Sequence, residues 1–251
     1  MKNGAGCGMM GVAGRIGRPN LRNRGHTMDY QGVFFDFDYT LGDSTAAIAQ
    51  GYRLGFRALG LDEPTVEQVR ATVGMQLKDG YTLLTGDSDP ARQAEFHRLF
   101  ANSVGVNAQG EDRKLMIEGT RLLPGAAELL AALKGARVAT AIVSTKPGDT
   151  IRQIFEHQGR LDLLNLVIGG DEVAAAKPDP EGLRLALKRL GLRAEQVLFC
   201  GDTVIDAATA QAGGCDFCAV LNGTTRREAF ADYPHVYIAE ELSQLQRFLK
   251  L

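Results

Sequence analysis

The chain contains five short apolar runs that lack strict alternation of apolar and polar positions. This pattern is typical of strands that are covered on both faces, as in a parallel sheet. The runs are GVFFDFD at 32–38, RVATAIVS at 137–144, NLVIGG at 165–170, QVLFCGD at 196–202 and DFCAVLNG at 216–223. A weaker run, HVYIA at 235–239, predicts one more strand.

Helical patterns separate most of these runs. LPGAAELLAALKG at 123–135 has three leucines on one face and a glycine at its end. In DPEGLRLALKRLG, Asp179 is predicted as the N-cap, Pro180 as the first helical residue and Gly191 as the stop. Strands that alternate with helices predict an α/β fold with a Rossmann-like parallel sheet.

One segment interrupts the alternation. Residues 44–121 contain successive helical patterns, including a capping box at Thr65 and Gln68 and a helix start at Asp89-Pro90. We therefore expect an all-helical cap at 44–121, inserted into an α/β core formed by 28–43 and 122–251. The cap would lie above the carboxyl end of the first strand.

Residues 1–27 are rich in Gly and Arg and contain no acidic residue. We expect a disordered extension, or a start codon assigned too early with Met28 as the functional beginning, and we exclude the segment from fold prediction. The net charge of −2 gives no electrostatic reason to expect nucleic acid as a partner. No apolar run has the length of a membrane-spanning helix.

Cysteine usage indicates a reducing compartment. The chain has four cysteines, and Cys215 and Cys218 form a single C-x-x-C pair without further zinc ligands nearby. The flanking apolar residues favour a role as small side chains of the core. Since nothing indicates a disulfide framework, we expect a cytoplasmic protein.

Polar side chains cluster at the predicted strand ends. The set comprises Asp36, Asp38, Ser144, Thr145, Lys146, Gly201, Asp202 and Asp206, and Lys177 joins it from the loop after the third strand. In open parallel sheets, ligands bind beyond the carboxyl ends of the strands. Each residue alone could be a helix cap or a surface charge, but their joint position predicts one functional site.

The carboxylates predict a divalent cation. Asp36 and Asp38 are two residues apart, and Asp202 would add a third negative charge. Such proximity is unfavourable unless a cation offsets it or one group is protonated. Mg²⁺ suits a site with few carboxylates, backbone carbonyls and water. Together with the ammonium of Lys177 and the hydroxyl of Ser144, it would form a cradle for a phosphoryl group.

These motifs resemble the four-motif signature of the haloacid dehalogenase-like hydrolase superfamily. The matching elements are D-x-D-x-T at 36–40, the strand-terminal Ser144, Lys177 in KPDPEGL, and GDTVID with Asp202 and Asp206. The helical insert resembles the cap of one subgroup. The resemblance spans residues 32 to about 223.

The resemblance implies a role for each site residue. Asp36 would be the nucleophile that forms an aspartyl-phosphate, and Asp38 the general acid and base. Ser144 and Lys177 would hold phosphoryl oxygens. Mg²⁺ would bind the carboxylates of Asp36 and Asp202 and the backbone carbonyl of Asp38. Asp206 would orient Lys177 or a metal-bound water.

The acid at Asp38 favours a phosphatase over a dehalogenase, because attack on a C–Cl carbon needs no proton for the leaving group. Within the phosphatases, TVGMQLKDGYTLL, KPDPEGL and LNGTT resemble the phosphoglycolate phosphatase group. A small phosphorylated metabolite is the expected substrate, and the oligomeric state stays open between monomer and dimer. The alternatives are a sugar-phosphate phosphomutase, a pyrophosphatase and a non-catalytic binding module.

Four residues are candidates for substrate binding: Thr145, Tyr39, Gln76 and Lys78. For Lys78, a solvated position on the helix surface is an equal alternative. Tyr39 also departs from the family pattern, in which Gly is commoner at that position, and a bulky apolar residue is commoner where Gly42 stands. We hypothesise that Tyr39 points under the cap and narrows the pocket, while Gly42 frees space at the hinge.

Overall fold

The computed structural model of the protein describes residues 30–251. The predicted extension at 1–27, Met28 and Cys7 lie outside these residues. The described chain forms eight strands: β1 (Gly32–Phe35), β2 (Gly42–Asp43), β3 (Arg121–Leu122), β4 (Ala139–Val143), β5 (Leu166–Ile168), β6 (Val197–Gly201), β7 (Asp216–Val220) and β8 (Tyr237–Ala239).

Six of these strands form one parallel sheet in the order β5-β4-β1-β6-β7-β8. β1 lies between β4 and β6, so that Phe34 is in register with Ala141 on one side and Phe199 on the other. The first apolar run therefore occupies the centre of the sheet. This position confirms the predicted Rossmann-like α/β fold.

Ten α-helices accompany the strands. They are α1 (Thr45–Ala58), α2 (Val66–Arg70), α3 (Leu77–Thr85), α4 (Pro90–Ser103), α5 (Gly110–Gly119), α6 (Ala126–Gly135), α7 (Gly148–His157), α8 (Glu181–Leu190), α9 (Val204–Gly213) and α10 (Leu242–Leu249). Side chains of α6, α7 and α10 bury one face of the sheet with Val33 and Phe35. Those of α8 and α9 bury the other face with Phe34. Alternate residues of β1 thus point into two separate cores.

Helices α1–α5 follow one another between β2 and β3 and have a hydrophobic cluster of their own. Its centre is aromatic: the ring of Phe96 lies 5.0 Å from that of Tyr52 and 5.2 Å from that of Tyr81, measured between centroids. Two of the predicted helix starts are present. Thr65 and Gln68 form the capping box of α2, and Asp89 caps α4 with Pro90 at its first position.

The two connections between these helices and the sheet pair with each other. β2 and β3 form an antiparallel ribbon in which Gly42 is opposite Leu122. The amide of Leu123 donates to the carbonyl of Leu41 at 2.8 Å, and Thr120 Oγ1 donates to Ser44 Oγ at 3.0 Å. The segment therefore leaves and rejoins the core at one place, next to the end of β1.

Two local predictions were wrong. β1 ends at Phe35 rather than extending through the aspartates, although the amide of Asp36 still donates to the carbonyl of Cys200 at 2.9 Å. α8 begins at Glu181, with Pro180 as its N-cap, because Asp179 instead accepts the amide of Glu181 at 2.9 Å. Gly191 ends α8 in the left-handed conformation, as predicted.

The predicted core role of the cysteine pair is confirmed, since Cys215 and Cys218 are buried with free thiols. Burial raises the pKa of the Cys215 thiol to about 12, and the neighbouring Asp216 and Glu195 add to the shift. Within residues 30–251, no helix combines the length and apolar character needed to cross a membrane.

Candidate active site

Asp36 and Asp38 lie directly beyond the end of β1, at the centre of the sheet's carboxyl edge. Both are buried, with 2% and 7% of their surface exposed. The turn that follows is closed by the carbonyl of Phe37, which accepts the amides of Leu41 and Gly42 at 2.9 Å each. The backbone therefore folds back immediately after the carboxylates and leads into the ribbon.

Lys177 reaches this edge from the loop after β5. Its ammonium Nζ lies 2.9 Å from Asp36 Oδ1 and 2.6 Å from Asp206 Oδ1, and its side chain is 6% exposed. Burial lowers the pKa of Lys177, but the negative charges of Asp206 and Asp36 outweigh it and raise the pKa overall. Lys177 is therefore a fixed cation between two carboxylates.

Asp206 lies in the first turn of α9, and both of its carboxylate oxygens accept hydrogen bonds. One carboxylate oxygen faces Lys177, and the other accepts the amide and the hydroxyl of Thr203, the N-cap of the helix, at 3.1 and 2.6 Å. Gly201, at the end of β6, makes room for this arrangement, because a Cβ there would collide with the Asp206 side chain. Asp206 thus links the helix start to Lys177.

Asp36, Asp202 and Asp206 form a buried group that could hold a metal ion. One carboxylate oxygen from each lies within 4.8 Å of the others. Burial raises the pKa of Asp202 well above its usual value, and the negative charges of Asp206 and Asp36 add to this shift. Thr40 Oγ1 donates to Asp202 at 3.2 Å, and Gly223 leaves space beside the same carboxylate.

The loop after β4 contributes Ser144, Thr145 and Lys146. Ser144 is buried, and its hydroxyl accepts the amide of Lys146 at 3.4 Å. Thr145 Oγ1 donates to the carbonyl of Gly74, in the helical segment, at 3.4 Å. The loop therefore contacts both the acidic site and the helices that cover it.

Lys146 is a site residue to which the sequence analysis gave no role. Its Nζ lies 3.2 Å from Asp38 Oδ2, and both side chains are less than one-tenth exposed. Burial raises the pKa of Asp38, and the Lys146 charge opposes the shift. The signal in the sequence was its place two residues after the strand-terminal Ser144, but no spacing rule pairs it with Asp38.

A cavity of about 970 Å³ opens between the helical segment and the sheet edge. Asp38, Thr145 and Lys146 line it on the sheet side, and Gln76 and Lys78 on the helical side. Its volume is near the upper end of the usual range for small-molecule sites. Gln76 is half-buried and Lys78 is exposed, so the structure brings both predicted cap residues to the same cavity as the core residues.

Tyr39, the fourth predicted substrate-binding residue, lies apart from Thr145, Gln76 and Lys78. Its backbone is left-handed, with φ of 59°, which explains why glycine suits this turn. The hydroxyl lies 2.7 Å from Thr45 Oγ1, and the Arg70 guanidinium lies 5.8 Å from the ring centroid. Tyr39 is not one of the described residues that line the cavity. It packs under α2 instead.

The side chain of Phe37 leaves no room for a Cβ atom at Gly42. A Cβ at this position would collide with the side chain of Phe37, which is fully buried. The space freed by Gly42 is thus already filled by Phe37.

Comparisons with known proteins agree with this geometry. The family model described as haloacid dehalogenase-like hydrolase matches residues 33–220. A phosphoglycolate phosphatase of Salmonella paratyphi A is 32% identical over 219 residues, which cover 80% of this chain and 85% of that protein. The Escherichia coli K12 phosphoglycolate phosphatase is 29% identical over 222 residues, with the same coverage of 80% and 85%.

Solved structures show the same architecture. A crystal structure described as a haloacid dehalogenase-like hydrolase, from Bacteroides fragilis, has a TM-score of 0.79 and 34% identity, covering 86% of this chain and 99% of that one. A haloacid dehalogenase-like family protein from Streptococcus pneumoniae, at 23% identity, shares the fold with a TM-score of 0.75 and coverage of 88% and 99%. The chain therefore belongs to the haloacid dehalogenase-like hydrolase family, which includes the phosphoglycolate phosphatases that it resembles.

Proposed function

We propose that the protein is a Mg²⁺-dependent phosphatase that hydrolyses a small phosphorylated metabolite through an aspartyl-phosphate intermediate. The observation that carries this proposal is the buried Asp36 at the end of the central strand. It is ion-paired to Lys177 at 2.9 Å and is followed two residues later by a second buried acid, Asp38. A carboxylate held beside a fixed cation is suited to attack on a phosphoryl group.

In this proposal Asp36 is the nucleophile and Asp38 the general acid and base. Asp36 attacks phosphorus, the P–O bond to the leaving group breaks, and Asp38 protonates the leaving oxygen. Asp38 then takes a proton from the water that hydrolyses the phosphoenzyme. Burial raises the pKa of Asp38, which supports its role as the acid that holds a proton before the first step.

Ser144 and Lys177 are proposed to hold the equatorial phosphoryl oxygens. Ser144 directly follows β4, the neighbour of β1, and Lys177 reaches Asp36 from the loop after β5; both side chains are buried. Asp206 is proposed to position Lys177, because it binds the ammonium through one oxygen and is fixed by Thr203 through the other. Its role is therefore orientation of the cation rather than contact with the substrate.

The residues present fit a divalent cation. Asp36, Asp202 and Asp206 bring three buried carboxylates together, and Lys177 offsets only part of their charge. We propose that Mg²⁺ binds the carboxylates of Asp36 and Asp202 and the backbone carbonyl of Asp38, since Asp206 is already engaged. When bound, the ion would neutralise negative charge on the carboxylates and the phosphoryl group.

We also propose that residues 44–121 act as a cap on a core formed by 28–43 and 122–251. The separate aromatic cluster of the helical segment and its paired connections support this division. Such a cap would exclude bulk water from the phosphoryl group and present Gln76 and Lys78 to the rest of the substrate, opposite Thr145. For Tyr39 we propose a role in fixing the cap through Thr45 and Arg70.

The first candidate substrate is 2-phosphoglycolate, because the two curated relatives described above are named for it. The test is release of phosphate from 2-phosphoglycolate, glucose 6-phosphate, pyrophosphate and p-nitrophenyl phosphate, each with Mg²⁺ and with EDTA. Metal-dependent hydrolysis of one of the phosphomonoesters would support the proposal. Preferred cleavage of pyrophosphate would favour a pyrophosphatase, and isomerisation of a sugar phosphate would favour a phosphomutase.

Asp36→Asn tests the covalent step. We expect turnover to become undetectable, since the amide is a poor nucleophile, and the acid-quenched wild type to retain phosphate on Asp36 in mass spectra. The matched control is Asp162→Asn, which changes an exposed carboxylate paired with Lys134 and should retain wild-type activity. A folded wild-type protein that hydrolyses none of the compounds would favour a binding module and reject the proposal.

A further inference from the structure

Lys146 is a buried lysine for which the proposed reaction has no use. Its Nζ is 3.2 Å from Asp38 Oδ2 and 3.8 Å from the sulfur of Met116, and it lies 5.9 Å from the centroid of the Phe37 ring. The side chain is 7% exposed and lines the cavity below the helical segment. An ammonium in such surroundings is costly unless strong acceptors surround it.

The two buried lysines of the site differ in their acceptors. Lys177 lies between two carboxylates, at 2.9 and 2.6 Å. Lys146 has one carboxylate, and its other close neighbours are a thioether and an aromatic face, which are weak acceptors. An ammonium has three N–H donors. Lys146 can therefore accommodate a second anionic acceptor from the cavity.

We propose that Lys146 is a specificity-determining residue that binds an anionic group on the leaving-group part of the substrate. The inference rests on the proposed phosphatase function and assigns the recognition of that group to a core lysine. A second anion at Nζ would give Lys146 the same paired environment that Lys177 already has.

The position of Lys146 defines the class of substrate. Asp38 is the residue proposed to contact the leaving oxygen, and Nζ lies 3.2 Å from its carboxylate. An anionic group only one or two bonds from the carbon that bears the leaving oxygen would therefore come within reach of Lys146. The class that fits is the phosphate monoester of a short hydroxycarboxylic acid. Esters of neutral alcohols lack the acceptor.

The other basic side chains on the cavity wall, Lys78 and His97, are exposed. Asp149 and Asp171 are exposed, and they accept hydrogen bonds from Arg152 at 3.0 Å and from the Gly148 amide at 2.8 Å. Lys78 lies on the opposite wall, is exposed, and has no contact to Asp38 among the described ion pairs. Because water screens an exposed charge, Lys146 is the stronger site for an anion.

The test compares two substrates that differ in one group. We would measure kcat/KM with Mg²⁺ for 2-phosphoglycolate and for 2-hydroxyethyl phosphate, in which an uncharged CH₂OH replaces the carboxylate. Lys146→Met should lower the ratio of the two values at least about tenfold, as expected for a lost charge-assisted contact. Any effect on Asp38 acts on both esters and cancels in the ratio. Lys146→Arg should restore part of the preference.

Lys134→Met is the matched control, because this exposed lysine pairs with Asp162 away from the cavity. Its activity and ratio should equal those of the wild type. A binding measurement adds a readout that does not depend on turnover: in Asp36→Asn, the added Lys146→Met change should weaken 2-phosphoglycolate binding about tenfold. Binding of inorganic phosphate should change by less than about twofold, since it lacks the carboxylate.

Three results would overturn the proposal: a wild type with no preference for the carboxylated ester, an equal loss for both esters in Lys146→Met, or a ratio that changes in Lys78→Met instead. An equal loss would mean that Lys146 acts only through Asp38. Failure of the phosphatase function is distinguishable, because the wild type would then hydrolyse neither ester nor p-nitrophenyl phosphate.

Discussion

Neutralising Asp202 should stabilise the protein in the absence of metal while abolishing its response to Mg²⁺. Asp202 is buried within 4.8 Å of carboxylate oxygens of Asp36 and Asp206, and its only described hydrogen-bond donor is Thr40. An asparagine keeps the size of the side chain and can still accept from Thr40. The substitution therefore removes mainly a buried negative charge.

The magnitude follows from the spacing of the carboxylates. At 4.8 Å and an effective dielectric constant of about 20, each repulsion with Asp202 is about 3.5 kcal/mol. The charge of Lys177 offsets part of the two repulsions, and partial protonation relieves more. We expect Asp202→Asn to raise the free energy of unfolding in EDTA by about 1–3 kcal/mol.

Urea denaturation in EDTA and in Mg²⁺ measures both effects. For the wild type, Mg²⁺ at about 100 times its Kd should add about 2.7 kcal/mol to the free energy of unfolding. For Asp202→Asn this increment should vanish together with phosphatase activity. Asp206→Asn is the matched comparison: it removes the same repulsions but also weakens the contacts to Lys177 and Thr203, so its free energy of unfolding in EDTA should lie at least about 1 kcal/mol below that of Asp202→Asn.

The pH dependence gives a second check on the same reasoning. Below about pH 3.9, the usual pKa of aspartate, Asp202 is protonated in both states and costs nothing. As the pH rises toward its higher native pKa, the unfolded state ionises first, and the native state loses stability. The difference in free energy of unfolding between Asp202→Asn and the wild type, measured in EDTA, should therefore be larger at pH 8 than at pH 5. A destabilised Asp202→Asn, or one that still responds to Mg²⁺, would refute the argument.

Three further predictions follow from local contacts. Gly42→Ala should lower the free energy of unfolding by about 1–3 kcal/mol in urea titrations, because the new methyl group meets the Phe37 ring; an unchanged midpoint would contradict this. Tyr39→Phe should lower the free energy of unfolding by about 0.5–1.5 kcal/mol through loss of the hydrogen bond to Thr45. Thermal unfolding measures this change, and a melting temperature equal to that of the wild type would contradict the prediction. Iodoacetamide at pH 8.5 should leave Cys215 unmodified in mass spectra of the native protein, since its pKa is about 12; rapid labelling would contradict its burial.

The fold was predictable from sequence where the pattern of apolar residues is compatible with only one type of secondary structure. The apolar run at Val33–Phe35 could be assigned to a buried strand because both faces of the sheet are covered, and Val33 and Phe34 do point into different cores. Helix starts with local chemistry, such as Thr65 with Gln68, were also predictable. The start of α8 was not, because Asp179 makes a short-range turn that competes with an N-cap.

In the candidate site, the sequence could indicate residues that follow strands but not how they pair. Asp36 and Lys177 come from two loops and Asp206 from the first turn of α9, and only the parallel sheet brings them within hydrogen-bond distance. The contact between Lys146 and Asp38 joins the segments that follow two neighbouring strands, β4 and β1, and no motif encodes it. Tyr39 itself does not predict its left-handed backbone, since residues other than glycine seldom adopt it; the glycine that is commoner at this position in the family pattern was the signal.

In the proposed reaction, the two buried lysines would each bind one end of the substrate. Lys177 contacts Asp36, where the phosphoryl group would be, and Lys146 contacts Asp38, where the leaving group would be. Both belong to loops of the core that follow the adjacent strands β4 and β5. If these two lysines bind both ends of the substrate, the helical segment would mainly exclude water from the site and would have less influence on which substrate binds. Exchanging that segment for one from a relative should then change the reaction rate more than the preference for carboxylated esters.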